Sequence, residues 1–157
     1  MAPCWAVMAA FEKPLDLDYD AAFVDGSPLS WIARDASKPG RAAEETWVLH
    51  GSPTWSGARQ DDAPETVAAA LLDALREAAG VAVPEPSHLS AHRWLYAQSP
   101  APRPEPCLVD LERRLVACGD WCGGPRVEGA WLSGDAAAEH VLSGIAAPPT
   151  DLLYTGW

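Results

Sequence analysis

Cys118-Gly119-Asp120-Trp121-Cys122-Gly123-Gly124-Pro125-Arg126-Val127-Glu128-Gly129-Ala130-Trp131-Leu132-Ser133-Gly134 is the stretch on which the reading of this chain turns. It leaves an apolar strand at 115–118, passes through a glycine-rich turn and enters a helix lined with small residues. Such a junction presents unpaired backbone N–H groups at a helix start and lets a large ligand approach the main chain. Gly129 and Ser133, and Ala130 and Gly134, are pairs of small side chains four residues apart. Their smooth face suits either tight packing against a sheet or contact with a planar ligand.

Outward from that junction, hydrophobic periodicity assigns the remaining elements. Residues 5–11 read as a buried strand, 21–25 and 29–34 as further strands, 35–40 as a turn through Lys38-Pro39-Gly40, and 46–50 as a strand rich in β-formers. Ser52-Pro53 marks a turn. A helix runs over 62–80, with Asp62 as cap, Pro64 in its first turn, Glu65 at a capping-box position and Gly80 as its stop. Val67, Leu71, Leu72 and Leu75 form its apolar face. Residues 89–97 read as a strand. Segment 99–106 holds four prolines in eight residues and reads as a spacer or crossover. Strands at 107–109 and 115–118 flank a turn at 110–113, and the last helix covers 127–143. Three segments are expected: a sheet domain over 1–106, a strand–loop–helix over 107–145 and a tail over 146–157. The fold class is α+β with a mixed or antiparallel sheet.

Composition bounds the function. With 11 basic against 22 acidic residues the net charge is −11, which argues against nucleic acid as a partner. No apolar run reaches the length of a membrane span, and no secretory signal is evident, so a cytoplasmic protein is expected. Cys4, Cys107, Cys118 and Cys122 read as free, buried thiols, and no second pair completes a zinc cluster, so no metal is expected. Ser30, Ser52 and Ser133 lack a G-x-S-x-G elbow. Eight tryptophans line either a cavity for a flat ring or a core.

The order Gly119-Asp120, a loop, then Val127-Glu128-Gly129-Ala130-x-x-Ser133-Gly134 resembles the C-terminal flavin-contacting segment of the amine-oxidase superfamily, and within it the renalase-like FAD-dependent oxidoreductases. Pro3-Cys4-Trp5-Ala6-Val7-Met8, Ser27-Pro28-Leu29-Ser30-Trp31-Ile32-Ala33-Arg34, Ser37-Lys38-Pro39-Gly40-Arg41, Trp47-Val48-Leu49-His50 and Ala91-His92-Arg93-Trp94 are similar to renalase-family segments in the family's order, over roughly 2–145. The G-x-G-x-x-G strand–turn–helix that holds the FAD pyrophosphate in that family does not occur in this sequence.

What the resemblance implies is a substrate-side sheet before the proline segment, followed by the last strand and C-terminal helix of an incomplete FAD-binding domain. Val127, Glu128, Gly129 and Ala130 would line the flavin's pyrimidine edge, and Gly119 and Asp120 would meet its ribityl–phosphate part. The implied cofactor is FAD, held weakly or not at all by this chain alone. The implied reaction is hydride transfer from a small amine or a dihydronicotinamide-like donor, with a complementary N-terminal half as partner.

Other readings stand beside it. Asp120 also suits a simple turn cap, and Glu128 is favourable at a helix start without any ligand. His92 and Trp94 share one strand face, which is either a substrate-cavity wall, making them catalytic candidates, or core. Arg34, Lys38 and Arg41 form either a phosphate-recognising group or a solvated edge. His50 and Trp55 receive no role. Trp121, Trp131 and the last helix are contact candidates if the chain is instead a non-catalytic interaction or homodimerising module, or an inactive truncated product.

Overall fold

The computed structural model describes residues 1–41 and 44–145. The expected tail over 146–157 lies outside them. The chain divides into two compact units, Met1–Ala97 and Gln98–Trp157.

The first unit is a five-stranded sheet with a helix on one face. Its strands are β1 (Ala2–Phe11), β2 (Ala21–Phe23), β3 (Leu29–Arg34), β4 (Glu45–Gly51) and β5 (His88–Gln98), in the order β2-β3-β4-β1-β5. The pairings β2 to β3, β3 to β4 and β4 to β1 are antiparallel. Side chains alternate across a strand. Trp5, Val7, Ala9 and Phe11 of β1 therefore share a face with Trp47 and Leu49 of β4, and all six are core residues. The sheet is antiparallel, and the α+β class stands.

Helix α1 (Pro53–Gly57) occupies a place that the sequence reads only as a turn. Ser52 starts it by accepting the Trp55 N–H at 3.3 Å, and Pro53 takes the first position, where its missing donor costs nothing. Helix α2 (Pro64–Ala79) lays Val67, Ala68, Leu71, Leu72, Ala74 and Leu75 on the core face of the sheet. Its start differs from the capping box expected at Asp62 and Glu65. Ala63 is the cap residue, and no side chain bonds the first turn. Pro64 and the core contacts fix the start instead. Gly80 ends the helix in the left-handed conformation at φ 66°, which glycine adopts without penalty.

Among the described residues one carboxylate lies within the strands of this unit, and it is buried. Glu45 accepts the Trp47 indole N–H at 2.8 Å, the Leu15 N–H at 3.1 Å and the Arg34 Nε–H at 3.2 Å. Three donors compensate its desolvation.

The second unit pairs β6 (Leu108–Asp110) with β7 (Leu115–Ala117) as an antiparallel hairpin, followed by helix α3 (Arg126–His140) and one wider turn over Val141–Ile145. The proline-rich segment 99–106 belongs to this unit and is tied into it. The Arg103 N–H donates to the Trp121 carbonyl at 2.8 Å, and the Gly123 N–H donates to the Arg103 carbonyl at 2.7 Å. Proline removes its own donors but leaves Arg103 both to give and to accept.

Candidate functional site

In the first unit α2 covers one face of the sheet. The opposite face carries Trp31 of β3, Val48 and His50 of β4, Ala6 and Met8 of β1, and His88, His92, Trp94 and Tyr96 of β5, assigned by strand alternation and by the register Ala6 with His50, Met8 with Val48 and Trp31 with His50. Among the described residues no strand contributes a carboxylate to this face, in a chain with 22 acidic residues. Trp31 and His50 are in tilted contact with ring centres 5.1 Å apart. His92 and Trp94 make an edge contact at 4.5 Å, and Trp94 is 57% exposed. A cavity of about 220 Å³ opens beside Met8, Thr46, Val48 and His88, with Asp35 at its rim. Burial lowers the basicity of His50 below the usual histidine value. Its imidazole makes no hydrogen bond or ion pair among the described residues. The sequence drew attention to His92 and Trp94 but gave His50 no role. The signal available was the alternation of β4, which places His50 opposite the buried Trp47 and Leu49.

The cationic group Arg34, Lys38 and Arg41 does not converge on open space. Arg34 pairs with Glu45 and Asp20 and donates to the Leu15 and Leu17 carbonyls. Lys38 and Arg41 both pair with Asp35, whose carboxyl is held below its ordinary range chiefly by the Lys38 hydrogen bond. Trp55 stacks beneath the Arg59 guanidinium at 4.5 Å.

In the second unit the loop before α3 is built from main-chain contacts. Ser133, fully buried in mid-helix, accepts the Gly119 N–H at 3.0 Å and donates to the Pro106 carbonyl at 2.5 Å. The sequence marked Ser133 only as a small residue, because a helix pattern does not show what its hydroxyl meets. Gly119 has φ 158°, and a Cβ there would come within 2.5 Å of the Trp121 indole nitrogen. A Cβ on Gly129 would run into the Gly124 carbonyl oxygen. The small side chains at 119 and 129 thus admit the chain's own loop. Ala130 is half-buried, and Asp120 is half-buried in the turn.

The entrance of α3 itself is open. Pro125 is its cap residue, no side chain bonds the first turn, and Arg126, Val127 and Glu128 are exposed, Val127 at 87%. Arg126 enters at φ 87°, a left-handed step that costs a side-chain-bearing residue about 1–3 kcal/mol. Uncapped N–H groups at the positive end of a 15-residue helix suit an electron-rich ring edge. Of the four residues expected there, Val127 and Glu128 are exposed at this entrance and Ala130 is half-buried, while the Cα face of Gly129 is already filled.

Three of the four cysteines, Cys4, Cys107 and Cys122, are buried, and Cys118 is exposed; all are free. Among the described residues no group of three or more His, Cys, Asp or Glu side chains gathers as a metal site. No helix among them is long and apolar enough to cross a membrane.

The family model of the flavin-containing amine oxidoreductases matches residues 1–142, most of the chain. The chain belongs to that family. Membership in the flavin-containing amine oxidoreductases implies a flavin cofactor and oxidation–reduction chemistry, and the match spans both the open sheet face and the entrance of α3.

Proposed function

We propose that this chain is the substrate-side sheet and flavin-contacting segment of a renalase-type, FAD-dependent oxidoreductase. The single observation that carries the reading is the family match over 1–142 in a chain whose α3 begins with exposed, uncapped N–H groups. The flavin, when bound, supplies a two-electron acceptor for hydride from a small amine or a dihydronicotinamide-like donor. In this reading the backbone at Val127 and Glu128 would hold the ring's edge, and the preceding turn at Gly119 and Asp120 would meet the ribityl–phosphate part. In this reading the first unit supplies the substrate-side surface, with His92 and Trp94 as its contact residues. FAD also requires a G-x-G-x-x-G segment for its pyrophosphate, which this sequence lacks. That segment is the complementary partner in this reading, and the chain alone binds FAD weakly.

A second reading, a non-catalytic interaction or dimerisation module, is favoured by the bare apolar side chains of α3 and its last turn. Val127, Trp131 and Leu142 are 87%, 67% and 86% exposed. One experiment separates the two. The chain is purified alone and with a family G-x-G-x-x-G half, and each sample is tested for flavin absorbance and molecular mass. Protein-bound flavin in the mixture supports the oxidoreductase. Colourless protein in both samples, running as a homodimer, overturns it in favour of the module.

A further inference from the structure

A cleft of about 540 Å³ opens in the first unit, between the turn that joins β2 to β3 and the last turns of α2. Small-molecule sites fall in the range of about 300–1,000 Å³. Its floor is apolar. Ala22 of β2 lies opposite Ile32 of β3 in register, so both share the face that α2 covers, and Ile32 is 1% exposed. Ala78 adds a methyl group from α2, and the half-buried Tyr19 ring stands edge-on to Trp47, with ring centres 6.4 Å apart. The turn that walls the cleft is pinned at both ends. The Val24 N–H donates to the Ser30 carbonyl at 3.0 Å, and the Ser52 N–H donates to the Pro28 carbonyl at 2.8 Å. The shape is therefore set before any ligand enters.

The charge at the rim has one sign. Among the described residues the lining carries two carboxylates, Asp25 and Glu77, and no lysine, arginine or histidine. Neither carboxylate makes a hydrogen bond or ion pair with a described residue. The cations on the elements that wall the cleft are committed elsewhere: Arg34 to Glu45 and Asp20, and Arg76 to Asp73 and Glu85. Helix α2 also ends here. It stops at Gly80, and no described N–H from beyond the helix reaches the carbonyls of residues 76–79. Open carbonyls at the negative end of a 16-residue helix favour a cation.

We propose that this cleft binds a small organic cation, an ammonium or quaternary ammonium ion carrying a hydrocarbon group. The hydrocarbon lies on Ala22, Ile32 and Ala78, where it leaves water. The charged head stays at the rim, half-hydrated, in the field of Asp25, Glu77 and the end of α2. An anion of the same shape meets the same field with the opposite sign and is rejected. The inference goes beyond the flavin reading and does not depend on it, since it uses none of the residues given to the flavin or to the substrate-side surface.

The test uses the full chain without flavin and benzyltrimethylammonium as probe, with benzyl alcohol and phenylacetate as neutral and anionic controls. A quaternary ammonium ion has no N–H bond and no nitrogen lone pair, so its binding is read apart from any amine oxidation. In NMR of methyl- and ring-labelled protein, millimolar cation should shift the Ala22, Ile32 and Ala78 methyl signals and the Tyr19 ring, and leave Trp94 and Trp131 unmoved. Asp25→Asn combined with Glu77→Gln should weaken the cation about 10-fold, and added salt should weaken it in the wild type. Glu77→Lys should remove the preference over phenylacetate. Circular dichroism confirms that the variants fold. Unmoved Ala22 and Ile32 methyl signals, equal binding of phenylacetate by the wild type, or full affinity in the doubly neutralised variant overturns the proposal. A chain that takes the cation here but no flavin with its G-x-G-x-x-G half keeps this site and sinks only the oxidoreductase reading.

Discussion

Helices α2 and α3 are almost equal in length, at 16 and 15 residues, and they are held in different ways. Helix α2 buries six residues, four of them Val67, Leu71, Leu72 and Leu75. Each such side chain contributes about 1.5–3 kcal/mol when taken from water, so the helix is anchored by its apolar face. Helix α3 buries only Ser133 and Ala137, and leaves Val127, Trp131 and Leu132 exposed. Its anchorage is a serine hydroxyl between two main-chain groups and a glycine under a carbonyl. The first unit is a sheet with a core of its own. The second is a loop and helix organised by polar main-chain contacts, with apolar surface left over. The function proposed above is served by the second kind of construction, because side chains do not crowd the start of α3.

The contrast is broken or sharpened by substitution. The largest effect is expected at Trp47, which is 1% exposed and bonds the buried Glu45. Trp47→Ala should cost about 3–5 kcal/mol in urea unfolding, whereas Trp131→Ala on α3 should stay within about 0.5 kcal/mol. Equal losses would mean that α3 is as much a core element as the sheet. Next comes Gly129→Ala, which forces the 122–124 loop away from the helix. It should cost about 1–3 kcal/mol locally, read as faster amide exchange over 126–140 with β1 and β4 unchanged; unaltered exchange there would show that the loop gives way freely.

A smaller effect follows from His50. Its basicity is lowered in the fold by burial, so near and below the ordinary histidine value of about 6.5 the unfolded chain binds more protons than the folded one. Stability on this account is full above that value and is lost as pH falls toward the folded midpoint. His50→Gln should flatten this part of the stability–pH curve of the first unit. An unchanged curve would mean that the ring is as hydrated as in the unfolded chain. The smallest effect is at Gly134, in mid-helix, where an added methyl would meet nothing within 4 Å. Gly134→Ala should stabilise α3 by about 0.5–1 kcal/mol, seen as slower exchange in that helix alone.

The clearest elements were legible from burial periods, β4 by alternation and α2 by its apolar face. The strand read at 29–34 coincides with β3 although its burial does not alternate and its register shifts between Leu29 and Trp31, and Val67, Leu71 and Leu75 mark α2 over most of its length. Helix α1 was not legible, since five residues are too short for a period and Ser52-Pro53 begins turns as readily as helices. Glu45 and Ser133 were also hidden. The strand read at 46–50 stops short of Glu45, and only the fold shows Trp47, Leu15 and Arg34 converging on it.

The order of segments and the glycine-rich entry to α3 were determined by sequence alone, because local periodicity and the chemistry of glycine act over a few residues. Tertiary structure alone decided that Gly129 admits the Gly124 carbonyl, that Arg34 answers a buried carboxylate, and that His50 stands on a face to which the described strands bring no acid. Each of those depends on packing and strand register, which bring together groups that the order of residues leaves apart.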